Sequence, residues 1–232
     1  MAIIQTSTPS PLQRVLTVVL FNLLVYIVIG LPNAVLTIFV HTTLGYSTTL
    51  AGLTFALQYA ATFAARSSAG RLVDKIGPKP VVIGGLIACV CSGLFMGWAA
   101  TLQNTPALSL TIMLLSRLFL GWAESWTSTG VIIWNIHRAG AENTALAISW
   151  NGICSYGGIA LGAPVGAALA LFHPPYGGLV AIGGLSVALP LFGLTLIGFY
   201  QGAKPHAAAH APISFRKALQ LVMWHGSALA AG

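Results

Sequence analysis

Two charged residues sit inside a long apolar run, and their types are the ones in this chain best suited to chemistry. Arg117 and Glu124 fall within the stretch 107–133. On insertion scales each costs about 2.5–3.5 kcal/mol at the centre of a bilayer. Residues kept at that cost usually face a cavity and have a task. A spacing of seven puts both on one helical face, with Gly121 and Ser128 completing the stripe. The same spacing separates their Cα atoms by about 10 Å along the axis, which argues against a tight direct pair. Glu124 is the only carboxylate inside any apolar run. A carboxylate there can take up and release a proton as its access alternates between two sides, and Arg117 can hold its surrounding network or attract an anion. The competing reading is that both residues only tie helices together.

A second polar stripe, Asn22, Tyr26, Asn33 and Thr37, has spacings of four, seven and four, which also define one helical face. Gln58, Thr62 and Asn151 are further polar positions within apolar runs. The alternative for all of these is hydrogen bonding between helices. His206 and His210 are four apart, but two histidines without a carboxylate in an Ala-rich segment do not make a metal site. Cys89, Cys91 and Cys154 lie in apolar stretches and imply neither a disulfide framework nor zinc. No phosphate-binding glycine loop, H-E-x-x-H, nucleophile elbow or C-x-x-C is present, so neither a cofactor nor an enzyme activity is expected.

The elements that position these residues follow from composition. Of 232 residues 56% are hydrophobic and 6% charged. Soluble domains carry about a quarter charged residues to cover their surface, so an integral membrane protein is expected. The net charge of +7 comes from ten Lys and Arg that are sparse and not interleaved with aromatics, which excludes a nucleic-acid partner. At roughly 20 apolar residues per span, the chain holds about six membrane helices. The expected spans are 15–40, 48–69, 80–101, 107–133, one after HRAGAEN to about 172, and one after HPPYGG to about 200. Ser47 suits a helix start, and Pro32 is placed to kink the first span.

Sorting the basic residues tests this topology. Arg14, Arg66, Arg71, Lys75, Lys79, Arg138, Lys204, Arg216 and Lys217 fall at the N-terminus, in the even-numbered loops or after the sixth span. The odd-numbered loops contain none, which predicts both ends on the cytoplasmic side. Residues 1–200 are then one six-helix bundle, and 201–223 a cytoplasmic segment with an amphipathic helix from about Ile213. Residues 224–232 read as the start of a seventh span, so a longer protein is expected.

The loop between the second and third spans reads Gly70-Arg71-Leu72-Val73-Asp74-Lys75-Ile76-Gly77-Pro78-Lys79-Pro80. Gly70 and Gly77 allow tight turning and close helix approach, Asp74 can accept amide hydrogen bonds, and the basic residues hold the loop inside. An ordinary positive-inside hairpin would also read this way. The run nevertheless resembles the G-x-L-x-D-[RK]-x-G-[RK]-[RK] signature of the major facilitator superfamily, in the place where that family has it. Gly70, Leu72, Asp74, Lys75, Gly77 and Lys79 match, while Pro78 replaces a basic residue. Arg117-Leu-Phe-Leu-Gly121 resembles the family's R-x-x-x-G pattern in the fourth helix. Gly158, Gly162, Pro164 and Gly166 resemble the Gly-Pro motif of its antiporters, with Ala163-Pro164 in place of Gly-Pro; small-xxx-small packing is the alternative.

The resemblance implies an all-α membrane fold, six helices as two three-helix inverted repeats, forming the N-terminal half of a twelve-helix transporter. It implies a charge cluster in which Asp74 is the acceptor and Arg71 and Lys75 its neighbours. It also implies that the first and fourth spans line the substrate path, so that Asn22, Tyr26, Asn33 and Thr37 face Arg117 and Glu124, with Gln58 and Asn151 beside them. The expected function is alternating-access transport of a small-molecule substrate across the inner membrane, coupled to protons and directed outward like an efflux permease. Its partners are then the lipid bilayer, protons and a C-terminal six-helix half of the same protein. The rivals are a facilitator or proton symporter for sugars or organic acids, and a receptor or assembly subunit that binds without transporting.

Overall fold

In the computed structural model, residues 10–172 and 177–200 are described. The segments proposed as an amphipathic helix and a seventh span, along with His206, His210, Lys204, Arg216 and Lys217, lie outside them. The described residues form helices and short connections. These are α1 (Pro11–Gly30), a short α2 (Leu36–Ile38) running into a π-helical turn (Phe39–Thr43), α3 (Thr48–Ile76), α4 (Pro78–Thr101), α5 (Pro106–Ala139), a 3-10 turn (Ala141–Asn143), α6 (Thr144–Phe172) and α7 (Gly177–Ile197). Among the described residues, five stretches are long and apolar enough to cross a membrane: Pro11–Gly30, Pro78–Thr101, Pro106–Ala139, Ala141–Leu171 and Gly178–Ile197. Helix α3 has the length, at 29 residues, but carries Arg66, Arg71, Asp74 and Lys75 toward its C-terminal end.

Three expected boundaries are corrected. The first span does not continue to residue 40. Pro32 has no N–H to donate and its ring crowds the preceding turn, so α1 stops at Gly30 and the chain turns through residues 31–35 before α2. The motif expected as a loop is mostly helix, because α3 runs through Gly70 to Ile76 and only Gly77, at φ +87°, breaks it. Pro78 then opens α4, where a missing N–H costs nothing. Gly70 is helical with open space around it, so it supports no close helix approach. Likewise α5 extends to Ala139, and Gly140, at φ +94°, makes the turn.

Helix ends are capped where the sequence offers hydroxyls. Ser10 and Gln13 form a reciprocal capping box on α1, and Ser47 accepts from the Leu50 amide at the start of α3. The principal packing pairs are α4 with α5, α3 with α5, α1 with α6, and α4 with α7, and α5 also meets α1 and α6. One core layer gathers Phe21, Val25, Leu86, Leu120 and Trp134, and a second Leu31, Phe39, Met96, Met113 and Ile182. The outward faces stay apolar: Phe63 is 83% exposed and Leu171 80% exposed, a surface that suits lipid and not water.

One end of the bundle is basic. Arg14 donates to the Arg138 carbonyl oxygen at 3.5 Å, the Arg138 guanidinium lies 5.8 Å from the Tyr200 ring centroid, and Lys79 donates to the Tyr200 carbonyl oxygen. These contacts bring the start of α1, the α3–α4 turn, the end of α5 and the residues after α7 together.

Candidate functional site

The site is assembled where α3 lies against α5. Gly121 lies between Arg117 and Glu124 on α5, and a Cβ there would collide with the Gln58 carbonyl oxygen and sit 2.8 Å from Ala61 Cβ. Only glycine lets α3 come this close. The approach puts Gln58 and Thr62, one turn apart on α3, opposite the two charged residues.

Glu124 is 8% exposed and is held by hydroxyls from two other helices. Thr62 Oγ1 donates to Glu124 Oε2 at 3.0 Å, and Tyr26 Oη of α1 donates to Oε1 at 3.3 Å. Arg117 is fully buried. Its Nη1 donates to Gln58 Oε1 at 3.4 Å and its Nη2 to Met96 Sδ of α4 at 3.3 Å, while Nε has no partner. No ion pair joins Arg117 to Glu124 among the described residues. Their link runs through α3 instead: Gln58 Oε1 accepts from Arg117, and Thr62 Oγ1 lies 3.0 Å from both the Gln58 carbonyl oxygen and Glu124 Oε2, its one proton shared between the two acceptors.

The first-span stripe is divided. Asn22 and Tyr26 point into the bundle, with Asn22 Nδ2 donating to Ser155 Oγ at 2.8 Å and to the Asn151 carbonyl oxygen at 3.4 Å. Asn33 and Thr37 lie beyond the break at Pro32 and are exposed, so the structure does not gather them with Glu124. The helix-packing motif is divided too. Gly158, Gly162 and Gly166 press on α1, where added Cβ atoms would meet Tyr26 Cβ at 2.7 Å, Gly30 Cα at 3.0 Å and the Leu31 backbone. Pro164 is on the exposed side of α6. The three glycines therefore do small-xxx-small packing. Arg71, Asp74 and Lys75 are exposed on the last turns of α3, with no ion pair among the described residues, and Lys79 reaches Tyr200.

Sequence reasoning did not find Met96 or Ser155 as partners. Ser155 carried a signal, being four residues from Asn151 and so on its face. Met96 carried none. A groove of about 440 Å³ runs along the outside of the α3–α5 seam, lined by Ala61, Ala64, Ala65, Ser68, Leu118 and Trp122. Neither Arg117 nor Glu124 lines it. No group of three or more His, Cys, Asp or Glu among the described residues could hold a metal.

Against known proteins, the chain matches the Major Facilitator Superfamily over residues 18–229. It is 40% identical over 233 residues to an uncharacterized MFS-type transporter of Burkholderia pseudomallei strain 1106a, covering 97% of this chain and 56% of that one. To the uncharacterized MFS-type transporter YhhS of Escherichia coli strain K12 it is 39% identical over 221 residues, covering 94% of this chain and 52% of the relative. The chain spans about half the length of these relatives. Apolar helices of spanning length and these similarities lead to one conclusion: the chain is a multi-pass membrane protein that belongs to the Major Facilitator Superfamily, a family of transporters and not of enzymes.

Proposed function

We propose that the chain is the N-terminal six-helix bundle of a secondary transporter, two three-helix inverted repeats that move a small solute by alternating access in exchange for protons, in the direction of export. Residues 1–200 form the bundle, with 201–223 a central cytoplasmic segment and 224–232 the beginning of a C-terminal half. The basic end faces the cytoplasm of a cell with this inner membrane, as the distribution of Lys and Arg favours. Glu124 carries the proton, Arg117 sets the electrostatics of the α3–α5 seam around it, and Asn22, Tyr26, Gln58 and Asn151 border the path. Asn33 and Thr37 contribute from the mouth opposite the basic end. The segment from Gly70 to Lys79, with Arg71, Leu72, Asp74, Lys75 and Gly77, acts as the cytoplasmic gate. Export draws its support from the glycines of α6 and their resemblance to an antiporter motif.

One observation carries the reading: Glu124 is buried, is held by two neutral hydroxyls, and has no cation in contact among the described residues. A hydroxyl can donate to a carboxylate or accept from a carboxyl group, so these two partners suit a proton-carrying role. The test is flux of a panel of sugars, organic acids and lipophilic cations in sealed membrane vesicles under an imposed pH gradient. The expected result is that at least one compound moves against its own gradient when the pH gradient is present. Transport that ignores the gradient would falsify proton coupling.

A further inference from the structure

Below Glu124, toward the basic end, the bundle buries three asparagines whose amides are not satisfied. Asn135 is fully buried on α5, and among the described residues neither its Nδ2 nor its Oδ1 has a partner. Asn22 Oδ1 and Asn151 Oδ1 are likewise without partners, although Asn22 Nδ2 is bonded. An unpaired buried amide group costs about 1–3 kcal/mol, so four such atoms in one region call for partners.

The helices that carry these residues meet at the basic end. Val15 of α1, Ala139 of α5 and Ala147 of α6 form a buried cluster at the basic end. Asn135 is one turn inward of Ala139, Asn151 one turn inward of Ala147, and Asn22 two turns inward of Val15. The Phe21–Trp134 stack, with centroids 6.1 Å apart, sets the neighbours of Asn22 and Asn135 at the same depth. Asn135 is also eleven residues from Glu124, three turns along the same face of α5. Polar groups lie along the way: Tyr26 of α1 donates to Glu124, and Ser155 of α6 accepts from Asn22.

We propose that Asn22, Asn135 and Asn151 form an internal water-binding site at the junction of α1, α5 and α6, and that its waters connect Glu124 to the basic end. The link to Glu124 rests on the proton-carrier reading above, whereas the site itself does not. Amides suit this use, because each offers a donor and an acceptor to water without adding charge. A hydrated polar pocket of this kind is a normal part of structure when each water finds two to four partners. Among the described residues, the charged and titratable groups around the route include Tyr26 from α1, Arg117 on the same helix as Glu124, Arg14, Arg138 and Tyr200 at the basic end, and the partly buried Cys154 of α6, while α3 contributes the Thr62 hydroxyl.

Water-edited solid-state NMR on the purified protein in lipid bilayers tests the site. Rapid water-to-protein transfer at the Asn135 side-chain amide is expected, and a dry amide overturns the site. Infrared spectroscopy in deuterated buffer tests the link, by following exchange of the protonated Glu124 carboxyl, assigned by its loss in Glu124→Gln. In Asn135→Leu that exchange should slow by about tenfold or more. Asn135→Ser, which keeps polarity, should restore it. An unchanged rate in a folded Asn135→Leu protein refutes the link. If no carboxyl band belongs to Glu124 at any pH, the proton-carrier reading fails and the link with it, while the NMR result still decides the site.

Discussion

The α3–α5 seam and the α1–α6 seam are both closed by glycine, yet they end in different chemistry. At the first, a single residue, Gly121, brings α3 so near that Gln58 and Thr62 reach Arg117 and Glu124. At the second, Gly158, Gly162 and Gly166 put backbone against backbone over two turns. There Asn22 donates to Ser155 Oγ and to the Asn151 carbonyl oxygen, and among the described residues the Asn22 and Asn151 amide oxygens stay unpaired. The lesson is that a glycine at a helix contact can serve packing or can place side chains. What decides between them is whether the facing residues are polar.

The largest effect should come from breaking the packed seam. Gly162→Leu would drive a side chain into the backbone of α1 near Gly30 and Leu31, costing well over the ~1–3 kcal/mol of ordinary overpacking. Loss of folded protein in size-exclusion chromatography is the expected result, whereas Gly157→Leu, which meets open space on the same helix, should fold normally. Gly121→Ala comes next. A methyl against the Gln58 carbonyl should cost about 1–3 kcal/mol in thermal unfolding and weaken proton-linked transport, because α3 must move off α5. Unaltered stability and transport in Gly121→Ala would remove the placing role given to this glycine.

Thr62→Val sharpens the comparison further. It keeps shape and removes one of the two hydroxyls on Glu124, so a stability change of about 1 kcal/mol is expected together with slower proton-linked transport. The smallest effect belongs to the gate segment. Asp74 is exposed and unpaired among the described residues, so Asp74→Asn should leave unfolding within about 0.5 kcal/mol of the parent. A large loss of stability there would mean that the aspartate is bound within this bundle after all.

Much of the architecture was legible because apolar runs of spanning length leave few alternatives to helices in lipid. Helix ends were less legible. Polar residues that leave the membrane remain helical until a glycine or proline intervenes, which is why α3 continues through Asp74 and α5 through Arg138. Pro32 was visible as a kink, but its full consequence, the separation of Asn33 and Thr37 from Tyr26, depends on how the chain turns after Gly30. Within the site, spacing alone placed Arg117, Gly121 and Glu124 on one face. The partners could not be read this way: Met96 looks like any core methionine, and the pairing of Thr62 with Glu124 arises from the tertiary approach at Gly121.

The most direct measurement compares the parent and Glu124→Gln in the same vesicles, recording substrate-induced proton movement with a pH-sensitive dye alongside downhill substrate flux. Proton movement that disappears in Glu124→Gln while downhill flux persists is the predicted result. Proton movement of equal size in both proteins would contradict the assignment of Glu124 as the carrier.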